Sequence, residues 1–350
     1  MLESVIEEVN RGRKGLNSGF PMGFPRLMEH IPDIQKSTTY LIFGESGSGK
    51  SAFVDTAYVF NPLDWYLKNK DNTDLKIKIL YYSLEISKER LLLKQITRKI
   101  YIDTGLLLDV NYILSRGKNK IREEHYQLVL KYCKYFEQLS DYLIIKDNSV
   151  SNHPYAIYQD LWKYSEEVGV YEKNKDGIIT NYKENDPNLY SIVITDHLGL
   201  VPPEKGADKK STMDKLSKHQ VLFRNRCKFV FANLMQVNRS VNDVDRIKLQ
   251  RDKFFLSLAD IKNSGDPAED CDTAIGIFNP NNYEFNNYRN YNIAKLKDRS
   301  RFLNIVKNRD GEAHKSLGLL FLGEVGFFKE LPSALDMSNE IYERIENINK

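Results

Sequence analysis

The chain has 350 residues, 41% of them hydrophobic, which is enough for one large domain or two ordinary domains. Its formal net charge of +3 excludes a strongly basic nucleic-acid-binding protein, although a local basic channel stays open. The three cysteines show no metal-ligand spacing, no apolar run approaches the roughly 20 residues of a membrane span, and the N-terminus does not resemble a signal peptide, so we expect a soluble cytoplasmic protein.

The first predicted element is a short helix followed by a basic, glycine-containing linker, together covering residues 1–18. Leu2, Val5, Ile6 and Val9 recur at helical spacing. A helix of two to three turns is marginal alone, so its apolar stripe should dock on another surface. The alternative is a frayed terminus.

A glycine-rich loop between a predicted strand and a predicted helix is the centre of the chain. Backbone N–H groups of such a loop, together with the positive end of the helix, bind phosphate. The loop consists of Gly44, Glu45, Ser46, Gly47, Ser48, Gly49, Lys50 and Ser51. We expect Lys50 to reach the β- and γ-phosphates of a nucleoside triphosphate and the Ser51 hydroxyl to coordinate Mg²⁺.

Apolar strands and helical patterns alternate along the rest of the chain. Further strands are predicted at 78–85, 142–145, 191–196, 228–234, 273–278, 290–296, 301–306 and 317–322, and helices at 87–102, 155–168, 213–225 and 338–350. Residues 106–137 are predicted to contain at least one more helix, with a break near Arg116 and Gly117. Residues 61–75 are predicted to be a polar loop and residues 170–188 a surface insertion. The alternation predicts one α/β core over 19–330, with a central, mostly parallel twisted sheet flanked by helices, and a helical tail over 331–350.

Three polar residues follow buried strands, where the open ends of a parallel sheet form a crevice. Asp196 is the natural Walker B acid for Mg²⁺, with a helix or turn cap as its alternative. Glu85 could orient the attacking water and accept its proton, but a surface glutamate is equally compatible with the pattern. Gln236 could sense the γ-phosphate, although a glutamine after a strand is ordinary.

Two cations, Lys307 and Arg309, alternate along an apparent hairpin over 306–311. They could project into the nucleotide site of a neighbouring subunit and stabilise the charge of the transition state, as an arginine finger does. A solvated basic hairpin is the alternative, and spacing alone favours it.

Six collinear motifs between about residues 15 and 325 resemble DnaB-type replicative helicases. They lie at 20–27, 82–87, 194–200, 233–239, 257–265 with 270–272, and 307–311. The resemblance implies a RecA-like P-loop NTPase core that uses ATP and Mg²⁺. It also implies a ring, usually a hexamer, around one DNA strand, with movement in the 5′ to 3′ direction. Glu85 would be the catalytic glutamate, and Lys307 and Arg309 would come from the neighbouring subunit.

The same resemblance implies contacts to single-stranded DNA in the ring channel. Such contacts follow the phosphate backbone and carry affinity without reading sequence. The candidate DNA-binding residues are Lys209, Lys210, Arg251, Lys262, Asn263, Ser264 and Gly265.

The chain also departs from the family pattern. Only about 15 residues precede the core, so the helical domain that binds primase in many relatives is not expected, and a primase or a helicase loader is only a candidate partner. Thr195 occupies a normally apolar position, and His197 replaces the usual tyrosine. A compact, divergent core suits a phage or mobile-element helicase, in a bacterial or phage-infected cell.

Two other functions stay open at this point. One is another RecA-type ATPase, such as a recombinase or a regulatory ATPase, which filaments on DNA or autophosphorylation would indicate. The other is a nucleotide-binding assembly or loading factor without unwinding activity, which nucleotide binding without turnover would indicate. The combination of Lys50, Glu85 and Asp196 favours hydrolysis and therefore the helicase.

Overall fold

A computed structural model of the chain describes residues 2–149, 152–238, 246–247, 250–263 and 265–348. Its strands are β1 (Thr39–Gly44), β2 (Lys76–Ser83), β3 (Leu143–Asp147), β4 (Gly169–Lys173), β5 (Ile179–Glu184), β6 (Leu189–Asp196), β7 (Val230–Gln236), β8 (Thr273–Phe278), β9 (Asn287–Tyr288), β10 (Tyr291–Asn292), β11 (Ser300–Asn308), β12 (Lys315–Leu322) and β13 (Phe327–Glu330).

The α-helices of the described residues lie between these strands and at both ends of the chain. They are α1 (Leu2–Arg13), α2 (Pro25–Met28), α3 (Lys50–Val54), α4 (Asn61–Asn69), α5 (Lys88–Thr104), α6 (Val110–Ile113), α7 (Glu123–Gln138), α8 (Pro154–Val168), α9 (Lys209–Cys227), α10 (Asp266–Asp270), α11 (Ile293–Leu296) and α12 (Asn339–Glu346). A π-helical segment, Asp55–Phe60, joins α3 to α4. None of the described helices combines the length and apolar character that a bilayer span requires.

Nine strands form one sheet in the order β13-β12-β11-β8-β1-β7-β6-β2-β3. The six strands from β8 to β3 are mutually parallel, and β11, β12 and β13 continue the sheet in antiparallel pairs. Every residue of β1 and β8 is buried, as expected for strands covered on both faces. The predicted α/β class with a mostly parallel sheet is confirmed.

Two hydrophobic clusters cover the two faces of this sheet. Successive strand residues point to opposite faces, so Tyr40 and Ile42 join one cluster and Leu41 and Phe43 join the other. The first cluster holds apolar residues of α3 to α5 and α7, and the second holds those of α8 and α9. The carboxyl ends of the parallel strands are thereby left accessible between two packed layers.

Two predicted elements are wrong. Residues 61–69 are not a loop but helix α4, which starts with Pro62 in its first turn, where proline is tolerated, and buries Leu63. Residues 290–296 are not one strand, because the Asn292 side chain accepts a hydrogen bond from the Lys295 backbone N–H at 3.0 Å and caps a short helix.

The stretch predicted as a surface insertion contains the antiparallel hairpin β4–β5. The hairpin packs on α8, because the Tyr171 ring stacks on Trp162 with ring centroids 4.5 Å apart. The stretch is therefore a folded extension of one helical layer.

Helix α1 forms as predicted. Its apolar stripe remains exposed within the single chain, with 76% exposure for Leu2, 56% for Val5, 60% for Ile6 and 58% for Val9. These side chains form an apolar stripe that the described part of the chain leaves uncovered.

Candidate nucleotide site

A cleft of about 460 Å³ lies at the carboxyl ends of the parallel strands. Its volume is in the range of small-molecule sites. Lys50, Ser51, Glu85, Asp196 and Gln236 all line it. Five residues that the sequence analysis selected from four separate segments therefore meet in one cleft.

The loop between β1 and α3 needs glycine where the chain comes closest to its neighbours. Gly49 has a φ of +94°, and a Cβ atom there would lie 2.8 Å from the Phe328 ring. A Cβ atom on Gly44 would lie 2.5 Å from the Ile277 carbonyl oxygen. These positions hold the loop against the sheet, with the start of α3 behind it.

The Lys50 side chain is buried in this loop. Its ammonium group donates hydrogen bonds to the carbonyl oxygens of Gly44, at 3.0 Å, and Glu45, at 2.6 Å. Burial lowers the pKa of Lys50 to about 8, and the nearby charges of Asp196, Glu85 and Glu45 oppose that shift. An anion close to the ammonium group would raise this pKa again and favour the charged form, which is the form that holds phosphate.

Asp196 ends β6 beside Ser51 and provides the candidate Mg²⁺ site. Burial raises the pKa of the Asp196 carboxyl, while hydrogen bonding from the Ser51 hydroxyl lowers it. A hydroxyl and a buried carboxylate fit Mg²⁺, which takes few protein oxygens and completes its shell with water and phosphate. The described residues contain no cluster of three or more His, Cys, Asp or Glu side chains that could hold a metal ion by themselves.

Glu85 lies at the rim of this cleft, just after β2. Ser83 pairs with Asp196 across the parallel strands, and the Leu84 N–H donates to the Asp196 carbonyl oxygen at 2.8 Å. The Glu85 side chain is exposed and interacts electrostatically with Lys50 and with the buried ring of His197. A carboxylate in this position can contact a water molecule that approaches the phosphates from the open side.

Gln236 ends β7, and its backbone continues directly into the predicted DNA loop. The Gln236 carbonyl oxygen accepts a hydrogen bond from the Lys262 N–H at 2.8 Å, and Val237 forms a β-bridge with Ile261. A shift of Gln236 would therefore move the backbone of the segment that carries Lys262 and Asn263.

The candidate DNA-binding residues do not form one group. Lys262 and Lys209 both lie near His197, where their charges add to the burial that lowers its pKa. Asn263 is exposed and has a φ of +54°, whereas Gly265 is half-buried against Asp214. Ser264 lies outside the described residues.

Lys210 and Arg251 are exposed, at the start of α9 and in the turn Arg251–Lys253, and no described contact joins them to the cleft. The Asp270–Cys271–Asp272 part of the predicted DNA loop lies elsewhere. The Asp272 N–H donates to the Thr39 carbonyl oxygen at 2.9 Å, so Asp272 lies at the amino end of β1, and the P-loop follows the other end of the same strand.

Lys307 and Arg309 also lie near the amino end of β1. The Lys307 ammonium group donates to the Glu269 carbonyl oxygen at 2.7 Å, and the Arg309 guanidinium pairs with Asp272 at 2.6 Å. The six residues of β1 separate this end of the strand from the P-loop by about 17 Å. Neither cation can therefore reach the nucleotide site of its own chain.

Arg301, which was predicted only as part of a strand, also lines the cleft. Its buried guanidinium donates from Nε to the Ser48 carbonyl oxygen at 3.1 Å and lies over the Phe321 ring, 4.8 Å from its centroid. The signal available in the sequence was a cation at the start of an apolar run, and it does not indicate a partner.

Asp55 is a second lining residue that the sequence analysis missed. It is buried one helical turn after Ser51, and the Gln95 amide donates to its Oδ2 at 2.5 Å. Burial raises the pKa of Asp55 from its usual 3.8 to about 7, and the nearby Asp196 charge adds to the shift.

We predict that Asp55 makes wild-type stability fall as pH rises from about 4 to about 7, because the folded carboxyl holds a proton that the unfolded carboxyl releases. Asp55→Asn has no carboxyl at this position and so lacks this pH-dependent contribution to stability. The melting temperature of the variant relative to wild type should therefore rise across that interval and level off above it. Thermal unfolding of both proteins at a series of pH values measures this difference in melting temperature. A difference that does not depend on pH would refute the raised pKa of Asp55.

The sequence matches no protein-family model and no curated protein. Two solved structures are similar to 95% of the chain. One, described in its title as an "ATPase Domain", has a TM-score of 0.69 and 18% identity, and the match covers 99% of that chain. The other, titled "The Structure Of A DnaB-Like Replicative Helicase And Its Interactions With Primase", has a TM-score of 0.67 and 19% identity.

The match covers 66% of the DnaB-like helicase chain. At these identities the similarity is one of fold. It confirms the predicted α/β architecture, a mostly parallel sheet flanked by helices.

Proposed function

We propose that this chain is an ATP-hydrolysing DNA helicase that moves along single-stranded DNA as a ring of identical subunits. The observation that carries the proposal is the meeting of Lys50, Ser51, Asp196, Glu85 and Gln236 in one cleft of a RecA-like fold. A P-loop alone would support nucleotide binding. The added glutamate and the direct link from Gln236 to the Lys262 loop support hydrolysis that is coupled to DNA.

In this mechanism the P-loop amides and Lys50 hold the β- and γ-phosphates of ATP. Ser51 and Asp196 would hold Mg²⁺, which neutralises charge on the phosphate oxygens when it is bound. Glu85 orients the attacking water and accepts its proton. Gln236 responds to the γ-phosphate and transmits its loss through the backbone to Lys262, which contacts the DNA backbone.

A neighbouring copy supplies the remaining charge. Lys307 and Arg309 lie too far from their own P-loop, and Arg309 is half-exposed despite its ion pair, so it can exchange Asp272 for a phosphate of the adjacent subunit. The exposed stripe of α1 supports the same assembly, because a second copy would cover it. Hexamer number and 5′ to 3′ polarity follow from the family resemblance.

The proposed partners are single-stranded DNA and further copies of the chain. A primase is a further candidate, because one similar structure is titled as a helicase that interacts with primase. No described contact specifically favours a recombinase, a regulatory ATPase or a loading factor over the helicase.

We predict that single-stranded DNA stimulates ATP hydrolysis by the purified chain and that Lys50→Ala abolishes both nucleotide binding and hydrolysis. The variant removes the buried ammonium group that faces the phosphates. Lys99→Ala is the matched control, because Lys99 pairs with Asp64 and Asp103 and does not line the cleft. Hydrolysis at the same rate with and without DNA would refute the helicase proposal.

A further inference from the structure

Two buried carboxylates lie on either side of one tyrosine hydroxyl beneath the nucleotide cleft. The Tyr81 hydroxyl on β2 is 3.4 Å from Asp196 Oδ2, and it also interacts with Asp55. Relative exposure is 1% for Tyr81, 4% for Asp196 and 3% for Asp55. Water therefore has little access to this group, and the three side chains must satisfy one another or be satisfied by the neighbouring protein.

Asp55 is only half satisfied. Its Oδ2 atom accepts from the Gln95 amide, whereas Oδ1 is buried without a hydrogen-bond partner among the described residues. Arg98, which is buried on α5 as Gln95 is, contributes a positive charge that favours the ionised form of Asp55. A buried acceptor without a donor is costly and calls for a partner that arrives in another state of the protein.

The Tyr81 hydroxyl is a candidate for that partner, because it interacts with the Asp55 carboxyl. A phenol has one proton to donate, so it can serve only one of the two carboxylates at a time. In this structure the hydroxyl lies within hydrogen-bond distance of Asp196 Oδ2, at 3.4 Å. Once Asp196 is satisfied from the nucleotide side, by a cation and the water around it, the hydroxyl can turn to Asp55 Oδ1.

We propose that Tyr81 and Asp55 form a hydrogen-bond relay beneath the nucleotide site. Tyr81 donates to Asp196 before Mg²⁺ and nucleotide bind, and to Asp55 afterwards. Asp55 would then be a positioning residue. It would accept the hydrogen bond of the Tyr81 hydroxyl when Asp196 holds Mg²⁺, and it would strengthen Mg²⁺ binding in this way. The inference rests on the proposed ATP site and adds to it two residues outside the P-loop and Walker B motifs.

The relay can be tested by the Mg²⁺ dependence of nucleotide binding, measured with a fluorescent ATP analogue at about pH 8.5, where Asp55, with its pKa of about 7, is ionised. Asp55→Asn keeps the shape and the Gln95 contact, but its amide NH₂ cannot accept the Tyr81 proton, so the hydroxyl stays on Asp196. The Mg²⁺ concentration at half-saturation should rise about tenfold, as expected for a hydrogen bond to a charged group. Affinity for the analogue in EDTA should not change.

The double variant separates a relay from a structural defect. If Tyr81→Phe is added to Asp55→Asn, the competing donor is gone, and Mg²⁺ half-saturation should return to within about threefold of wild type. Asp64→Asn is the matched control, because Asp64 accepts a tyrosine hydroxyl, from Tyr135, outside the nucleotide cleft. It should leave the Mg²⁺ dependence unchanged.

The relay is wrong if Asp55→Asn leaves half-saturation at the wild-type value, or if the double variant binds Mg²⁺ as weakly as Asp55→Asn or more weakly. If wild type itself shows no Mg²⁺-dependent nucleotide binding, the proposed function fails instead. Tenfold weakening in Asp55→Asn with recovery in the double variant supports the relay.

Discussion

Glu85→Gln should slow ATP hydrolysis by about a hundredfold to ten-thousandfold, the usual contribution of a general base, while nucleotide affinity stays at the wild-type level. Glutamine keeps the size and position of the side chain but cannot accept the proton of the attacking water. Because Glu85 lies at the exposed rim of the cleft and the P-loop does not depend on it for hydrogen bonds, binding should survive. Single-turnover hydrolysis and equilibrium binding of the nucleotide, each with single-stranded DNA present, measure the two effects separately.

Glu89→Gln is the control for this experiment. Glu89 is an exposed glutamate in the first turn of α5, four residues from Glu85, and it does not line the nucleotide cleft. Its hydrolysis rate should match wild type. Equal rates for Glu85→Gln and Glu89→Gln would remove Glu85 from the chemistry and return it to the alternative of a surface glutamate.

Arg309→Ala should reduce hydrolysis by about a thousandfold or more, as expected for loss of an arginine finger, without weakening nucleotide binding to a single subunit. The reason is geometric. Arg309 lies about one strand length from its own P-loop, so it can act only on the site of another copy. Hydrolysis by the assembled protein and nucleotide binding at concentrations too low for assembly measure these effects.

Lys315→Ala is the matched control for Arg309. Lys315 follows the same hairpin and pairs only with Glu312 among the described residues, so its loss removes a cation without removing the proposed finger. If Arg309→Ala and Lys315→Ala both keep full activity, the hairpin is a solvated basic turn, as its spacing alone suggested.

The sequence was sufficient for those parts of the site that depend on local pattern. A strand, a glycine-rich loop and a helix specify the P-loop, and the ends of parallel strands meet at one edge, so Asp196, Glu85 and Gln236 could be assigned before their distances were known.

The sequence was insufficient where side chains from distant segments meet in the interior. Asp55, Tyr81 and Gln95 come from three elements, and no local pattern indicates that they meet in one buried cluster. Thr195 is a similar case, because its hydroxyl lies 3.4 Å from the buried Gln220 amide. A polar residue in an apolar strand signals such a partner but does not identify it.

The secondary-structure errors have a comparable cause. Residues 61–69 contain a proline and several polar side chains, so they looked like a loop, but the P-loop helix continues into them through a π-helical segment and buries Leu63 against the core. Packing decided the conformation there, and local propensity did not.

The central claim is that one copy of the chain completes the nucleotide site of another. It is tested most directly when Arg309→Ala and Lys50→Ala are mixed, allowed to exchange subunits, and assayed for ATP hydrolysis with single-stranded DNA. Each variant alone should be inactive, whereas a mixed assembly contains intact P-loops of Arg309→Ala next to intact hairpins of Lys50→Ala and should regain activity. A mixture no more active than its two parts would contradict the claim.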